Sequence, residues 1–317
     1  MVSRVINAKK IWIYEKKAVI LRIMKHIRIV SPSGAVSPDF VFGARARLES
    51  WGYRVSIGQH ALEQYGRFAG RCEDRLADLN EALSDANVDI VLCSRGGYGL
   101  QQIVDQVNLP NTTCPLIVGY SDITELHSLL NLHGIPSLHA SMCKALTELS
   151  DDDAALLAMR AALAGDPTIF HAVPHVQNKR GTVIGKLIGG NLSVLYGLQG
   201  TPYALSALID ACEHPPILML EDISEKHYHI DRMMHNLRLS GVLEKIGGLV
   251  LGHWTDCADD DSMRCSLLDT LLDVVVKYDY PIWVNAPFGH VDSNMPLLLG
   301  AQYQLSVQEE GVSLMRV

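Results

Sequence analysis

Leu116-Ile117-Val118-Gly119-Tyr120-Ser121-Asp122 is an apolar, β-branched run that stops at a glycine, with a serine placed just before a helix-like segment. Such a pattern sets a hydroxyl on a sharp strand-to-helix turn, beside backbone N–H groups that have no helical partner. A serine held there can serve as a nucleophile whose developing oxyanion meets ready donors. The same residue type also makes an ordinary helix N-cap, so the local pattern alone leaves both roles open.

Working outward, the flanking sequence repeats the strand-then-helix rhythm. His26–Val30, Tyr53–Ile57 and Val88–Cys93 read as strands, and helices are expected over Asp39–Trp51, Glu73–Ala86, Leu100–Val107 and from Asp122 to about His133. In the last of these, Ile123, Leu126, Leu129 and Leu130 form an apolar stripe, and Gly134 supplies a C′ stop. Strands alternating with helices imply a doubly wound, mostly parallel sheet of the Rossmann or flavodoxin type. Functional loops of such sheets gather at the C-terminal strand ends, which here means Ser31–Gly34, Arg95–Gly99 and the turn at Ser121.

Beyond a helix at Ala154–Leu163, residues 164–180 carry Gly165, Pro167 and Pro174 and read as an irregular linker. A second unit is expected over residues 181–317. It offers strands at Gly181–Leu187, Ile217–Leu220, Leu249–Leu251 and Ile282–Val284, helices near Leu192–Leu198 and Ile230–Ser240, and a terminal hairpin around Glu309-Glu310-Gly311. The nucleophile-bearing unit would then span 24–163. Residues 1–23 are basic, through Arg4, Lys9, Lys10, Lys16, Lys17 and Arg22, whereas the remainder is acidic. Glu15, Lys16 and Lys17 interrupt any signal-peptide core, so this segment is expected to be a dispensable extension or a misplaced start ahead of Met24.

With 317 residues, 48% of them hydrophobic, the chain can bury a sizeable core. A formal net charge of −8 and the lack of a Lys/Arg cluster argue against nucleic acid as a partner. There is no stretch of 18 apolar residues, so a membrane span is not expected. Seven scattered cysteines with no CxxC pair suggest reduced thiols, a cytoplasmic setting and no structural zinc.

A nucleophilic serine needs a base, and the base an orienting acid. Glu221 directly follows the apolar run Ile217–Leu220, and a carboxylate at the end of a buried strand is costly unless paired. It is therefore either catalytic or part of a structural ion pair. His290, in Pro287-Phe288-Gly289-His290, sits on a loop where its imidazole can reach a ligand, or it is simply a surface histidine. His227-Tyr228-His229, with His235, could suggest a metal site if the first three alternate as a strand, but the set is weak. Arg95-Gly96-Gly97-Tyr98-Gly99 matches no nucleotide-binding loop, and suits either close approach of backbone N–H groups to a small ligand or a merely tight turn.

Seven motifs occur in one order: Ser31-Pro-Ser-Gly34, Phe68-Ala69-Gly70 followed by Arg75-Leu-Ala-Asp-Leu-Asn80, Arg95-Gly-Gly-Tyr-Gly99, Gly119-Tyr-Ser-Asp122, Gly189-Gly-Asn-Leu192, Leu220-Glu-Asp-Ile223 and Phe288-Gly-His290. From about Lys25 to Val317 the chain resembles the LD-carboxypeptidases, the muramoyl-tetrapeptide carboxypeptidases of serine peptidase family S66. The resemblance implies a Ser121–Glu221–His290 triad, with the serine on the doubly wound N-terminal domain and the other two on a C-terminal β-rich α/β domain. It further implies a site at their junction, a homodimer, and a murein peptide substrate cut at the L,D amide bond before its terminal D-alanine. It needs no metal or other cofactor. On this reading the backbone amides of Asp122 and Gly97 hold the oxyanion. Arg95 or Arg232 would bind the substrate's terminal carboxylate, unless each is spent in a structural ion pair. The same scaffold in related proteins cleaves a peptidyl-nucleotide antibiotic, and a non-catalytic binder of wall peptides is a third reading.

Overall fold

The computed structural model describes residues 24–111, 113–167 and 169–317; the expectations for residues 1–23 lie outside these. The first half runs β1 (His26–Val30), α1 (Pro38–Ser50), β2 (Arg54–Ile57), α2 (Cys72–Ser84), β3 (Ile90–Cys93), β4 (Leu116–Gly119), α3 (Thr124–Leu132), β5 (Ser137–His139), α4 (Cys143–Glu148) and α5 (Ala154–Ala164). The second half runs β6 (Ile169–Ala172), β7 (Gly181–Asn191), α6 (Leu192–Gly197), α7 (Leu205–Asp210), β8 (Ile217–Ile223), α8 (His227–Leu239), β9 (Gly248–Thr255), α9 (Leu267–Val275), β10 (Ile282–Trp283), β11 (Leu297–Leu299), β12 (Gln302–Val307) and β13 (Val312–Arg316).

The first sheet has the order β11-β5-β4-β3-β1-β2, parallel throughout except for β11. Its central strands are apolar on both faces because both faces are covered. Ile27, Ile29, Ile90 and Leu92 pack with Val41, Ala44 and Leu48 of α1 and with Leu156 and Met159 of α5. Val30, Val91, Cys93 and Ile117 pack with Leu79 and Leu83 of α2 and with Leu126 and Leu130 of α3. The order 2-1-3-4 puts a topological switch point between β1 and β3, where a crevice opens past the carboxyl ends of the strands.

The second sheet, β10-β9-β8-β7-β12-β13-β6, is parallel from β10 to β7 and antiparallel from β7 onward. One face is covered by α6 to α9, through residues such as Leu192, Leu208, Met234 and Leu271. A mixed α/β fold with a doubly wound first sheet and a β-rich second unit is thus present.

Two local expectations differ from the structure. Leu100–Val107 is not one helix but two short 3₁₀ turns, Leu100–Gln102 and Val104–Gln106, because Gly99 enters at φ +146° and Leu100 N–H turns to a side chain. Residues 164–180 are not wholly irregular, since β6 pairs with β13 at the sheet edge. Within residues 181–317, β11 pairs antiparallel with β5, Leu298 opposite Leu138, and so extends the first sheet.

Candidate active site

Ser121 lies past the end of β4 with φ +66°, in the left-handed region that a serine adopts only under constraint, at a cost of about 1–3 kcal/mol. The constraint comes from Gly96. A Cβ on Gly96 would lie 2.8 Å from Ser121 Cβ and 3.1 Å from its Oγ, so the β3 loop presses directly on the turn. At the same turn, Asp122 N–H makes no hydrogen bond among the described residues, and neither does Gly97 N–H on the opposing loop.

Glu221 is fully buried near the end of β8, where the pairing with β9 shifts between Leu220 and Asp222. The bulge leaves Gly252 against Phe288; a Cβ there would lie 2.6 Å from its ring. His253 N–H holds Phe288 O at 3.0 Å, which brings the 288–290 loop over β8. Glu221 Oε2 then meets His290 Nδ1 at 2.7 Å, with the imidazole only 13% exposed. Gly289 at φ +117° makes this approach possible, since a Cβ there would crowd Glu221 at 3.1 Å. The Tyr120 ring stands 4.9 Å from the imidazole, and burial pushes its hydroxyl up to about 12, keeping it neutral.

Ser121 and His290 face one cavity of about 610 Å³, along with Arg95, Gly97, Tyr120 and Ile223. Among the described residues no direct hydrogen bond joins them, and catalytic contacts of this kind commonly tighten only once substrate is bound. Chemically this is a carboxylate-oriented imidazole beside an unpaired hydroxyl and unpaired amides, the parts acyl transfer requires.

The LD-carboxypeptidase N-terminal domain family matches residues 27–140, and the LD-carboxypeptidase C-terminal domain family matches residues 184–305. The murein tetrapeptide carboxypeptidase of Pseudomonas aeruginosa is 30% identical over 281 residues, covering 84% of this chain and 89% of that protein. The chain belongs to the LD-carboxypeptidase family. The crystal structure of muramoyltetrapeptide carboxypeptidase from Oxalobacter formigenes superposes on this LD-carboxypeptidase family member with a TM-score of 0.82, at 28% identity, over 92% of this chain and 98% of that one. The microcin C7 self-immunity protein MccF shares the fold, with a TM-score of 0.78 at 18% identity over 93% of this chain and 97% of that one.

Not every residue expected at the site of this LD-carboxypeptidase relative is found there. Arg95 lines the cavity, solvent-exposed, in no ion pair among the described residues, and with Nη1 donating to Ala35 O at 2.7 Å. Arg232 does not line it; it lies on α8 over the Tyr228 ring at 5.6 Å. His227-Tyr228-His229 is helical, not strand-like, because the segment opens α8. His227 bonds Thr270 Oγ1 at 2.7 Å, while His229 and His235 pair with Glu225 and Asp231. Among the described residues, a surface cluster of His60, Glu63 and Asp74 has the spacing to hold an ion, but His60 and Glu63 already bond each other at 2.7 Å.

Two buried carboxylate side chains had no role in the sequence reading, which used only the backbone amide of Asp122 and placed Asp222 in a motif. The Asp122 side chain accepts from Ser33 Oγ and, at 3.0 Å, from Leu100 N–H. Buried Arg75 donates to the neighbouring carbonyls, Pro32 O at 2.7 Å and Gly99 O at 2.8 Å. One anion and one cation thus clamp the β1 and β3 loops together beneath the Ser121 turn. Burial raises the Asp122 carboxyl, while the Ser33 and Leu100 donors and the Arg75 charge act in the opposite sense. Asp222, one residue after Glu221, is raised to about 6 by burial, and holds Asn191 Nδ2 at 2.9 Å and Ser193 N–H at 2.8 Å. It thereby ties β8 to the start of α6. The cue for both acids lay in their adjacency to a candidate site residue, at a strand end.

Glu125, in the first turn of α3, is buried with Oε2 unpartnered, and burial together with the Asp122 charge pushes it up to about 8. The unfolded chain releases this proton near its usual 4.5, so between about 4.5 and 8 the folded state holds more protons than the unfolded one. Stability from this group is therefore present at acid pH and is lost as pH rises through that window. Glu125→Gln should flatten the decline, raising Tm over the wild type at pH 8 and leaving it little changed at pH 5. Calorimetric melts across that range measure it, and parallel curves for the two proteins would contradict it.

Proposed function

We propose that this chain is a serine carboxypeptidase that releases the terminal D-alanine of a murein tetrapeptide by cleaving its L,D amide bond. The observation that carries the reading is the 2.7 Å Glu221–His290 pair opening onto the cavity that Ser121 lines from its constrained turn. Glu221 fixes the tautomer with the proton on Nδ1, which leaves Nε2 free to accept. Nε2 takes the Ser121 proton as Oγ attacks the scissile carbonyl. The oxyanion is received by the amides of Asp122 and Gly97, which make no other hydrogen bond among the described residues. The imidazolium then gives its proton to the departing D-alanine amine, and a water molecule, activated by the same imidazole, frees the acyl-enzyme.

Arg95, unpaired and at the cavity wall, suits the terminal carboxylate that a carboxypeptidase must recognise. Free thiols on all seven cysteines support a reducing, cytoplasmic setting, where wall fragments are recycled. The homodimer implied by family likeness belongs to the same proposal. The sequence named Arg232 beside Arg95 for the carboxylate, and its position on α8 favours Arg95.

The decisive test is mass spectrometry of products from a defined murein tetrapeptide, run beside an aminoacyl-adenylate analogue. Loss of one D-alanine from the tetrapeptide, with the analogue intact, is the expected result. An uncut tetrapeptide and an uncut analogue, with no labelling by a serine-reactive phosphonate, would identify a binder instead.

A further inference from the structure

An imidazole that the mechanism does not use lies where the two sheets meet. His139 ends β5, with Gly119 of β4 opposite it on one side and Leu297 of β11 on the other. It is fully buried, and neither Nδ1 nor Nε2 has a hydrogen-bond partner among the described residues. Its ring stands 5.6 Å from Tyr120, the residue before Ser121, and meets Phe288, two before His290, edge-on at 5.9 Å. Tyr120 packs in turn on the His290 ring. The next residue, Ala140, donates its N–H to Gly119 O at 3.2 Å, so the same strand end grips the turn that carries the serine.

Asn294 faces this imidazole from the loop that joins His290 to β11. It is buried, and its Oδ1 accepts Gly289 N–H at 3.0 Å. That bond holds Gly289 in its left-handed φ of +117°, the conformation that lets His290 reach Glu221. Met295 N–H donates to Pro287 O at 2.9 Å and draws the two ends of the loop together. Asn294 Nδ2 is a further buried polar atom without a partner among the described residues. Burial, with His127 and His290 nearby, lowers the His139 imidazole to about 3, and the Asn294 carboxamide acts on it in the opposite sense. The ring is therefore uncharged at neutral pH. Unpaired polar atoms in a core destabilise it, and apolar side chains in both places would avoid that loss. Residues that break this rule concentrate at functional sites.

Resting on the carboxypeptidase reading, we infer that His139 and Asn294 act as one pair of positioning residues, which sets the His290 loop over the Ser121 turn for proton transfer. Neither touches the reacting atoms. Asn294 fixes the backbone of Gly289, and His139 orients the carboxamide from the other sheet. The base is thereby registered to the strand beside the serine's own, and not to its own sheet alone.

The test compares His139→Phe, Asn294→Ala and the double variant with the wild type on a murein tetrapeptide. Phenylalanine keeps a ring between Tyr120 and Phe288 and removes only the polar contact. Each single variant should lower kcat by about 100-fold, the scale of a misplacement of about 1 Å at a reacting centre, with KM little changed. The double variant should lose no more than the worse single one, because the two act as a unit. His139→Gln, which can still donate to the carboxamide, should recover most of kcat. Proton NMR of the free protein gives a readout that lost stability alone does not move. The low-field Nδ1–H resonance of His290, assigned by its absence in Glu221→Gln, should shift or broaden in His139→Phe and Asn294→Ala and stay in place in Ser121→Ala. Unchanged kcat with an unmoved resonance in both single variants, or losses that multiply in the double variant, would overturn the pairing alone. A moved resonance in variants of a protein that leaves the tetrapeptide uncut would uphold the positioning and overturn the carboxypeptidase reading.

Discussion

Ser121→Ala is expected to melt with the wild type and to lose turnover by about 10⁴-fold or more, the scale of deleting a nucleophile from an acyl-transfer triad. The stability half follows from the geometry. The Ser121 hydroxyl makes no hydrogen bond among the described residues, so its removal orphans no buried partner. Alanine meets the same left-handed φ of +66° at the same cost, and it keeps the Cβ that faces Gly96. The catalytic half follows from the loss of the only atom that can carry the acyl group. D-alanine release in single-turnover and steady-state assays measures it. A variant within tenfold of wild type would remove Ser121 from the mechanism, whatever the melt shows.

Glu221→Gln should be nearly as damaging to kcat, about 10⁴-fold, for a different reason. The glutamine amide can donate to Nδ1, which places the imidazole proton on Nε2, where a base must be empty. Little stability should be lost. Glu221 is buried with Oε1 unpartnered, so the neutral amide removes a desolvated charge while keeping the shape. Equal melts with turnover lost are expected. Turnover within tenfold of wild type would show that His290 needs no orienting carboxylate.

Much of the scaffold was legible because burial on both faces leaves its mark on composition. The runs at β3 and β4 are apolar at consecutive positions, β1 carries Ile27, Ile29 and Val30 around Arg28, and the helices between them show one apolar stripe each. Shorter elements were not. Ser137-Leu138-His139 and Leu297–Leu299 are three residues long, and they become strands only through pairing with sequence-distant neighbours, β5 between β4 and β11 and β11 against β5. The six-residue helices α4 and α7 complete less than two turns and give no period to read.

At the site, the individual side chains were visible as types and positions: a serine after a glycine, a carboxylate ending an apolar strand, a histidine on a glycine loop. Their meeting was not, because it depends on a bulge in β9 and on Gly252 and Gly289 admitting a neighbouring chain. Only the order of seven motifs pointed to it. Arg232 illustrates the reverse: a plausible residue type whose helix faces elsewhere.

The antiparallel strand β11 has a consequence for how the protein is made. Leu297–Leu299 closes the edge of a sheet whose other strands all precede residue 140, and it follows closely on the loop bearing His290. A ribosome must release the chain through residue 299 before that edge is capped, and His290 arrives in the same late segment. On the proposed mechanism, a nascent chain that has not reached residue 290 carries Ser121 without the base that would activate it, and hydrolysis would begin only after that late segment has folded in.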